Sequence, residues 1–176
     1  MGSAPGVVPS VPVAGATGAR VLVREATPRD LDAVVALRTA LLREQPDHPI
    51  YGRLRPDLDH RARGLFAAQL RSTMEAIFLG ELDGQIVGVL RCVESTGSPL
   101  LDPARYAYVS STYVRPESRR RGVLRALLRA ADRWAHARGL DQMRLHNVAG
   151  SVAAERAWSA LGFAVVEQVR VRNLGD

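Results

Sequence analysis

The segment that most constrains the fold of this chain is residues 114–128, where a β-rich stretch ends and an amphipathic helix begins. Three consecutive arginines precede Gly122, and apolar residues then recur at the spacing of a helix. The first turn of a helix exposes unpaired N–H groups and the positive end of the helix dipole. Glycine allows a ligand to approach the backbone closely, and arginine side chains pair well with phosphate oxygens. The segment therefore predicts a binding site for an anion such as pyrophosphate.

A run of cations at the start of a helix can also be an ordinary solvated surface. Arg125, Arg129 and Arg133 are spaced four residues apart and fit that interpretation. The succession of strand, turn, glycine and helix favours the anion site for residues 119–124. The segment has neither the Gly-Lys-Ser/Thr of a Walker loop nor the GxGxxG fingerprint of dinucleotide-binding folds, so it matches neither of these two nucleotide-binding motifs.

The composition is that of one soluble globular domain. The chain has 176 residues, of which 47% are hydrophobic and 24% charged, so it can bury a core without disulfides or metals. Cys92 is the only cysteine, which excludes an internal disulfide and predicts a reducing, cytoplasmic location. No apolar run approaches the roughly 20 residues that cross a bilayer. All 24 cationic side chains are arginine, which gives a net charge of +6 and leaves no lysine for Schiff-base chemistry.

Turn signals and hydrophobic periodicity predict the element order β-α-α-β-β-β-α-β-α-β. Residues 1–19 carry no charged side chain and several prolines, so we expect a flexible leader rather than a secretory signal, with one domain over residues 20–176. The predicted strands are 20–24, 76–82, 85–93, 106–114, 142–147 and 163–171. The predicted helices are one that begins at Thr27 and ends before an irregular loop at 44–56, and three more at 57–74, 122–138 and 151–161.

Two motifs make the sequence resemble the GNAT superfamily of acetyl-CoA-dependent N-acetyltransferases. The family signature Gln/Arg-x-x-Gly-x-Gly/Ala, preceded by Val-x-Pro-x-x-Arg, corresponds to residues 114–124. The second motif, Asn-x-x-Ala followed by Leu-Tyr-x-x-Leu-Gly-Phe, corresponds to residues 151–154 and 157–163. The resemblance covers residues 20–172 and implies an α/β (α+β) fold. The implied architecture is a single domain with a mixed, mostly antiparallel sheet of six to seven strands, about four helices, and a splayed strand pair that forms the CoA cleft.

The resemblance also implies how acetyl-CoA binds as the cosubstrate, with no metal. Backbone groups of residues 112–114 face the pantetheine arm, and backbone N–H groups of residues 119–124 hold the pyrophosphate. Leu124 replaces the small residue that is usual at its position, so its side chain must turn away from the phosphate. The residues assigned to the cosubstrate in this way are Thr112, Tyr113, Val114, Arg119, Arg120, Arg121, Gly122, Val123, Leu124 and Ser151.

Acyl transfer to an amine needs a base for the ammonium and benefits from a proton donor for the leaving thiolate. The family's usual donor is a tyrosine, and Trp158 stands at that position; indole donates a hydrogen bond but is no acid at neutral pH. Relatives with a glutamate five residues before the second motif imply that His146 is the base, and the ordinary pKa of histidine suits that task. A structural role for His146 at the end of a strand is the alternative. Ser110 and Ser111 could instead hold a water that relays the proton.

The acceptor is expected between the first two helices and the loop at residues 94–105. A cationic amine would favour Glu94 or Asp102, whereas an acidic acceptor would favour Arg53 or Arg55. Because these loops contain both signs of charge, the sequence leaves the acceptor class open. The polar candidates in these loops are His48, Tyr51, Arg53, Glu94 and Asp102, of which Tyr51 and Glu94 are the predicted substrate-binding residues.

These patterns predict an N-acetyltransferase that modifies an amine of a small molecule, an amino-acid derivative or a peptide by direct attack in a ternary complex. A catalytically weak GNAT domain that senses acyl-CoA is the alternative, because Trp158 and the carboxylate-free strand before the phosphate loop remove the usual acid and base. Nucleic-acid binding has only the positive charge in its favour, with no base-reading motif. We therefore expect the protein to bind acetyl-CoA and an amine, and to bind neither nucleic acid nor a membrane. The edge of the predicted closing strand at 163–171 could pair two copies of the chain as a homodimer.

Overall fold

The computed structural model describes residues 13–14 and 20–174. Its strands are β1 (Val13–Ala14), β2 (Arg20–Glu25), β3 (Glu75–Leu82), β4 (Gln85–Thr96), β5 (Arg105–Val114) and β6 (Met143–Leu145). Its helices are α1 (Leu31–Arg43), α2 (Leu58–Gln69), α3 (Val123–Ala137) and α4 (Val152–Ala160), with single 3-10 turns at Pro28–Asp30 and Pro116–Ser118. The rest of the predicted leader lies outside the described residues. Among the described helices, none combines the length and hydropathy that crossing a membrane requires.

The strands form one open sheet in the order β1-β2-β3-β4-β5-β6. The first four pairings are antiparallel and β6 runs parallel to β5, so the predicted mixed, mostly antiparallel sheet is confirmed. Five strands have three residues or more, and β1 adds only two. The turn between β3 and β4 has the expected conformation: Asp83 and Gly84 both have positive φ, 51° and 81°, as a tight hairpin requires.

The predicted closing strand at residues 163–171 is wrong. The chain after α4 runs to residue 174 without regular secondary structure and lies exposed. Its valines have a high β propensity, but a strand forms only when its backbone groups find a partner strand, and this segment finds none in the described part of the chain. Two other predicted elements are shorter than expected, since α2 ends at Gln69 and β6 ends at Leu145.

The helices cover both faces of the sheet. One core cluster lies under α3 and includes Leu90, Val109 and Leu127, and the other lies under α1 and α2 and includes Leu37 and Leu79. Close contact between α3 and the sheet depends on two cross-strand partners, Gly80 in β3 and Gly88 in β4. A Cβ at these glycines would lie 2.8 and 2.9 Å from Cγ1 of Val123. The first turn of α3 is therefore seated directly on the centre of the sheet.

Candidate active site

Strands β5 and β6 pair over only three residues and then separate. Ala107, Tyr108 and Val109 pair with residues of β6, whereas β5 continues to Val114 without a β6 partner in the described residues. The backbone groups of β5 after Val109 that point toward β6 have no strand partner among the described residues, so they can bind a ligand, although the carbonyl of Val114 also accepts from Nε of Arg119. This opening is the splayed strand pair predicted from the sequence.

A β-bulge lies in the unpaired part of β5. Arg91 of β4 pairs with Ser110 and Val89 pairs with Tyr113, so two residues of β5, Ser111 and Thr112, stand opposite one residue of β4. Ser111 has φ 50°, a left-handed conformation that is uncommon for residues other than glycine. The Oγ1 of Thr112 is buried and has no hydrogen-bond partner in the described part of the chain. Bulges redirect backbone and side-chain groups next to binding sites, and this one does so at the opening of the cleft.

The turn between β5 and α3 presents free N–H groups. Arg120 and Gly122 both adopt left-handed φ values, 63° and 84°, and Gly122 is the N-cap of α3. The N–H of Ala126 is the first to bond within the helix, to the carbonyl of Gly122 at 3.0 Å. The N–H groups of Val123, Leu124 and Arg125 have no intrahelical partner by helix geometry, and the N-cap residue, Gly122, has no side chain that could cap them. The start of α3 therefore presents unpaired backbone N–H groups, and the binding of an anion to them stays a prediction.

A tyrosine and a histidine meet where β5 and β6 separate. The hydroxyl of Tyr108 lies 2.8 Å from Nδ1 of His146, and their rings pack edge to face with centroids 5.5 Å apart. Burial raises the pKa of the Tyr108 hydroxyl, and the nearby Tyr51 and Tyr106 raise it further. Sequence reasoning identified His146 but missed Tyr108; the parallel pairing of β5 with β6 places the two residues together. The pair can hold or exchange a proton at this point.

On the face of the sheet that α1 and α2 cover, these helices and the bulge line an open-sided cavity of about 520 Å³. This volume is in the range of small-molecule sites. Ser111 is the residue of β5 that lines the cavity. The remaining lining residues are Arg38, Leu41, Leu42, Arg55, Leu58, Arg61, Ala62, Leu65 and Phe66. The cavity therefore adjoins the cleft through the bulged segment of β5.

Comparison with known proteins matches this arrangement to one family. Residues 36–163 match the Acetyltransferase (GNAT) family. This chain belongs to the GNAT acetyltransferase family. Members of the family transfer an acetyl group from acetyl-CoA, so the chain is an acyltransferase, and the expected fold, enzyme class and cosubstrate are confirmed.

Individual relatives of this GNAT domain include enzymes named for aminoglycosides. The chain is 39% identical over 64 residues to aminoglycoside N(6')-acetyltransferase type 1 from Klebsiella aerogenes, a match over 36% of this chain and 42% of that relative. The match thus spans less than half of the relative's length. The fold is shared with aminoglycoside N-acetyltransferase AAC(6')-Iy in complex with CoA, with a TM-score of 0.71 and 22% identity over 90% of this chain and 97% of that one. A predicted acetyltransferase from Clostridium acetobutylicum with acetyl-CoA has a TM-score of 0.70 and 19% identity over 88% and 96% of the two chains.

Several side chains of the GNAT phosphate loop, residues 119–124, already contact other parts of the protein. The guanidinium of Arg119 donates to the Val114 carbonyl at 2.9 Å and to both oxygens of Glu44 at 2.7 and 2.9 Å. Arg121 pairs with Asp83 at 3.2 Å on the surface. Leu124 packs against the core under α3, so its side chain does turn away from the loop. The loop offers its backbone rather than the Arg119 side chain to an anion.

The two predicted serines of the GNAT domain have different environments. The hydroxyl of Ser110 accepts a hydrogen bond from Nη1 of Arg91 at 3.1 Å, and Arg91 is also ion-paired with Glu75. Ser111 lines the cavity instead. Ser110 thus contacts the Arg91–Glu75 ion pair, whereas Ser111 is the serine that lines the cavity.

The two predicted residues near α4 have structural contacts. Trp158 packs against the core and meets the ring of Phe163 edge to face at 5.4 Å. Ser151 is the N-cap of α4, and its hydroxyl accepts a hydrogen bond from the N–H of Ala154 at 3.4 Å. Their roles toward acetyl-CoA stay predictions.

Neither predicted substrate-binding residue lines the cavity. Tyr51 lies in the loop between α1 and α2, whereas Glu94 belongs to β4 rather than to the predicted loop and pairs with Ala107 of β5. Glu94 is ion-paired with Arg105, with an oxygen 2.5 Å from Nη2. Tyr51 stacks on His48 with ring centroids 4.6 Å apart. Of the arginines considered for an acidic acceptor, Arg55 lines the cavity and Arg53 does not. Among the residues that the structure describes, no three His, Cys, Asp or Glu side chains are grouped closely enough to hold a metal ion.

Proposed function

We propose that this GNAT domain acetylates a primary amine held in the cavity between α1 and α2, with acetyl-CoA bound along the cleft between β5 and β6. The observation that supports the proposal most directly is that unpaired backbone N–H and C=O groups continue from the edge of β5 to the start of α3. The free edge of β5 leads to Val114, and the unbonded N–H groups at the start of α3 follow after one turn. An extended ligand with an anionic end fits such a line of donors and acceptors.

The buried hydroxyl of Thr112 supports the fit of acetyl-CoA to this cleft. A buried polar atom without a partner costs free energy, and a bound ligand with polar groups along its length can supply the missing hydrogen bond. We propose that backbone groups of residues 112–114 bind the pantetheine arm and that the N–H groups of residues 120–125 bind the pyrophosphate. The exposed Arg120 side chain, which forms no ion pair within the described residues, adds a phosphate contact. Ser151 is proposed to line the same site from the start of α4.

When bound, acetyl-CoA supplies an acetyl group activated as a thioester. In the proposed mechanism, Nε2 of His146 takes a proton from the acceptor's ammonium, which leaves a neutral amine able to attack a carbonyl carbon. This requires the tautomer in which Nδ1–H donates to the oxygen of Tyr108, because Nε2 then keeps a free lone pair. We propose that the backbone N–H groups at the Ser111 bulge donate to the carbonyl oxygen as it gains negative charge. Ser111 can hold a water between the cavity and His146, and the Trp158 indole N–H can donate to the departing sulfur.

A sensor domain that binds acyl-CoA with little turnover is the second candidate. It is favoured by Trp158, which occupies the position of the family's usual tyrosine and packs against the core. In that case binding would be retained, and no amine would be acetylated at a useful rate.

Release of CoA thiol from acetyl-CoA, measured against a panel of amines, tests the proposal. The panel contains polyamines, aminoglycosides, free amino acids and short peptides, with aminoglycosides included because of the relatives' names. We expect turnover by the wild type and at least about a tenfold loss of kcat in His146→Ala, with unchanged affinity for acetyl-CoA. The matched control is His136→Ala, on the last turn of α3, which should retain full activity.

The outcomes separate the candidates. Turnover that survives in His146→Ala would remove His146 as the base and favour a water held at Ser111. Tight binding of acetyl-CoA with no turnover on any amine would favour the sensor. Tyr108→Phe removes the hydroxyl while preserving ring packing, so a loss of kcat in this variant would show that the pair acts together.

A homodimer is proposed as the oligomeric form. Residues 163–174 follow α4 in an exposed conformation without regular structure, and Val165, Val166 and Val169 are largely exposed. Exposed valine-rich segments readily add to the free edge of another sheet. Light scattering coupled to size-exclusion chromatography should give the mass of two chains, and a monomer at micromolar concentration would contradict this proposal.

A cytoplasmic location is proposed from the single cysteine. Cys92 is fully buried, and burial raises the pKa of its thiol to about 12. A thiol of this kind is unreactive and fits a reducing compartment. Fractionation of cells that express the full chain would test the location.

A further inference from the structure

We infer that the amine acceptor of this enzyme carries a carboxylate and an apolar side chain, as an apolar amino acid does, and that Arg38 binds the carboxylate. This inference rests on the proposed function, because it assigns the cavity between α1 and α2 to the acetyl acceptor. It further specifies that function, since the family alone leaves the charge of the acceptor open.

Arg38 is a buried cation that forms no ion pair with any residue the structure describes. Only 7% of its surface is exposed, on the inner face of α1. Its Nη1 donates to the neutral side chain of Gln69 at 2.5 Å, and its guanidinium carbon lies 3.7 Å from the centroid of the Phe66 ring. Its Nε is buried without a hydrogen-bond partner among the described residues. A guanidinium has five N–H hydrogens, and apart from the one bonded to Gln69 the described residues leave them without a hydrogen-bond acceptor.

The surroundings of Arg38 make an anion favourable. Burial, with a smaller contribution from the nearby charge of Arg91, lowers the pKa of its guanidinium to about 9. Glu75 opposes this effect but is itself ion-paired with Arg91. Burying a charge without a counter-ion costs free energy, and a carboxylate that binds there would offset the cost while forming charge-assisted hydrogen bonds.

The other charged residues that line the cavity are also positively charged. Arg55 and Arg61 also line it, and both pair with one carboxylate, Asp57, at 3.6 and 2.5 Å. No aspartate or glutamate is among the described residues that line the cavity. A polycationic acceptor such as an aminoglycoside would meet three arginines here, and like charges repel. The cavity therefore disfavours the acceptor for which the relatives are named.

The apolar lining points to the second part of the acceptor. Most of the remaining wall is leucine and phenylalanine, which can bury an apolar side chain. Ser111, at the bulge that adjoins the cleft, lies in the wall of the same cavity as Arg38. An amine directed toward Ser111 and a carboxylate directed toward Arg38 would orient the acceptor for transfer.

The test compares acceptors with and without a carboxylate, and L-phenylalanine and L-phenylalaninamide differ only in that group. We would measure kcat and KM for acetylation of L-phenylalanine, L-leucine, L-phenylalaninamide and neamine by the wild-type protein. The amide has the more readily deprotonated amine, so chemistry alone would favour it. We expect the free amino acids to have kcat/KM at least about tenfold above the amide and above neamine. Equal or higher kcat/KM for the amide or for neamine would overturn the inference.

Variants of Arg38 identify the residue responsible. Arg38→Met keeps an apolar stem in the buried site, and we expect it to raise KM for L-phenylalanine about tenfold or more while leaving KM for the amide unchanged. Arg38→Lys should recover part of the loss because it retains the charge. The matched control is Arg63→Gln on α2, whose arginine pairs with Asp32 at 2.7 Å on the surface and does not line the cavity. A loss of the same size for both substrates in Arg38→Met would contradict a carboxylate contact.

A binding measurement distinguishes failure of this inference from failure of the proposed function. Calorimetric titration of N-acetyl-L-phenylalanine and its amide requires no turnover. Binding of the carboxylate that Arg38→Met abolishes would support the anion site even if no amine is acetylated, in which case only the proposed reaction would fail. If the wild type acetylates amines but neither binding nor turnover depends on the carboxylate, the reaction would stand and this inference would be wrong.

Discussion

The guanidinium of Arg119 holds both carboxylate oxygens of Glu44, at 2.7 and 2.9 Å, and so joins the end of α1 to the loop before α3. Arg119 belongs to the phosphate-loop motif, and Glu44 is the C-cap of α1. The contact couples the proposed acetyl-CoA cleft on one side of β5 to the helix that forms the wall of the acceptor cavity.

Glu44→Ala should therefore affect the loop more than overall stability. The ion pair is partly exposed, so its loss should lower the free energy of unfolding by no more than about 1 kcal/mol. The freed Arg119 can move away from the Val114 carbonyl, and we expect a threefold to tenfold weaker affinity for acetyl-CoA, on the order of 1 kcal/mol. Calorimetric titration measures the affinity, with the exposed Asp141→Asn as a control that should bind normally. Unchanged affinity in Glu44→Ala would show that the loop holds its shape without this contact.

Gly122 and Gly84 have the same backbone conformation, so substituting each one distinguishes the effect of backbone strain on stability from an effect on acetyl-CoA binding. Gly122 has φ 84° and Gly84 has φ 81°, and a Cβ at either position would have no heavy atom within 4 Å. Alanine at each should cost about 1 kcal/mol of stability, because a left-handed conformation is unfavourable for a residue with a Cβ. Only Gly122→Ala should also weaken acetyl-CoA binding, since only Gly122 caps the helix at the proposed pyrophosphate site. Denaturant unfolding and titration of both variants test this, and equal binding by the two would argue against that site.

The close contact between α3 and the sheet predicts a coupled pair of substitutions. Gly80→Ala places a Cβ 2.8 Å from Cγ1 of Val123, so it should destabilise the protein by about 1 to 3 kcal/mol. Val123→Ala removes that methyl group and should destabilise by about 1 to 2 kcal/mol alone. The double variant should be more stable than the sum of the two losses predicts, because the methyl group that clashes is gone. Strictly additive losses in denaturant unfolding would mean that the strain is relieved elsewhere.

Asp30 should make stability depend on pH in acid. The Arg24 guanidinium, hydrogen-bonded to both oxygens of Asp30, lowers the pKa of that carboxyl to about 2 from 3.8, with help from the N–H of Thr27. A carboxyl with a lowered pKa in the folded state adds stability above its unfolded pKa and loses it as pH falls through its folded pKa. Asp30→Asn should thus cost about 1 to 2 kcal/mol at pH 7, and the difference from the wild type should shrink between pH 4 and pH 2.

Urea unfolding at several pH values measures the effect of Asp30→Asn. Asp59→Asn is the control, because its ion pair with Arg43 is exposed on both sides and should contribute less than about 1 kcal/mol. A difference between Asp30→Asn and the wild type that stays constant from pH 7 to pH 2 would contradict the lowered pKa.

Features that depend on neighbours in the sequence could be predicted without a structure. The left-handed turn at Asp83 and Gly84 is required by a two-residue hairpin, and the free helix N-terminus at Gly122 follows from a glycine between a strand and an amphipathic helix. A helical turn also begins at Thr27 as predicted, since the N–H of Thr27 donates to the Asp30 carboxylate at 2.8 Å. In each case the chemistry that selects the conformation lies within a few residues, and the sequence displays it.

Arg38 shows what the spacing of residues in the sequence can predict and what it cannot. It lies four residues after Val34, so helical spacing puts it on the buried stripe of α1, and this signal could have identified it. The spacing could not show that Gln69 of α2 would be its hydrogen-bond acceptor, or that no carboxylate among the described residues would pair with it, because those neighbours come from other elements of the fold.

The sequence by itself determined the family, the order of the main elements and the backbone of the phosphate loop, because periodicity, turns and caps are local. The tertiary structure alone decided which distant groups meet. It placed the Tyr108 hydroxyl against His146 through the pairing of β5 with β6, and it joined Glu44 to Arg119 across the end of the sheet. It also left residues 163–171 out of the sheet, because β propensity is a property of a segment whereas a strand needs a partner edge.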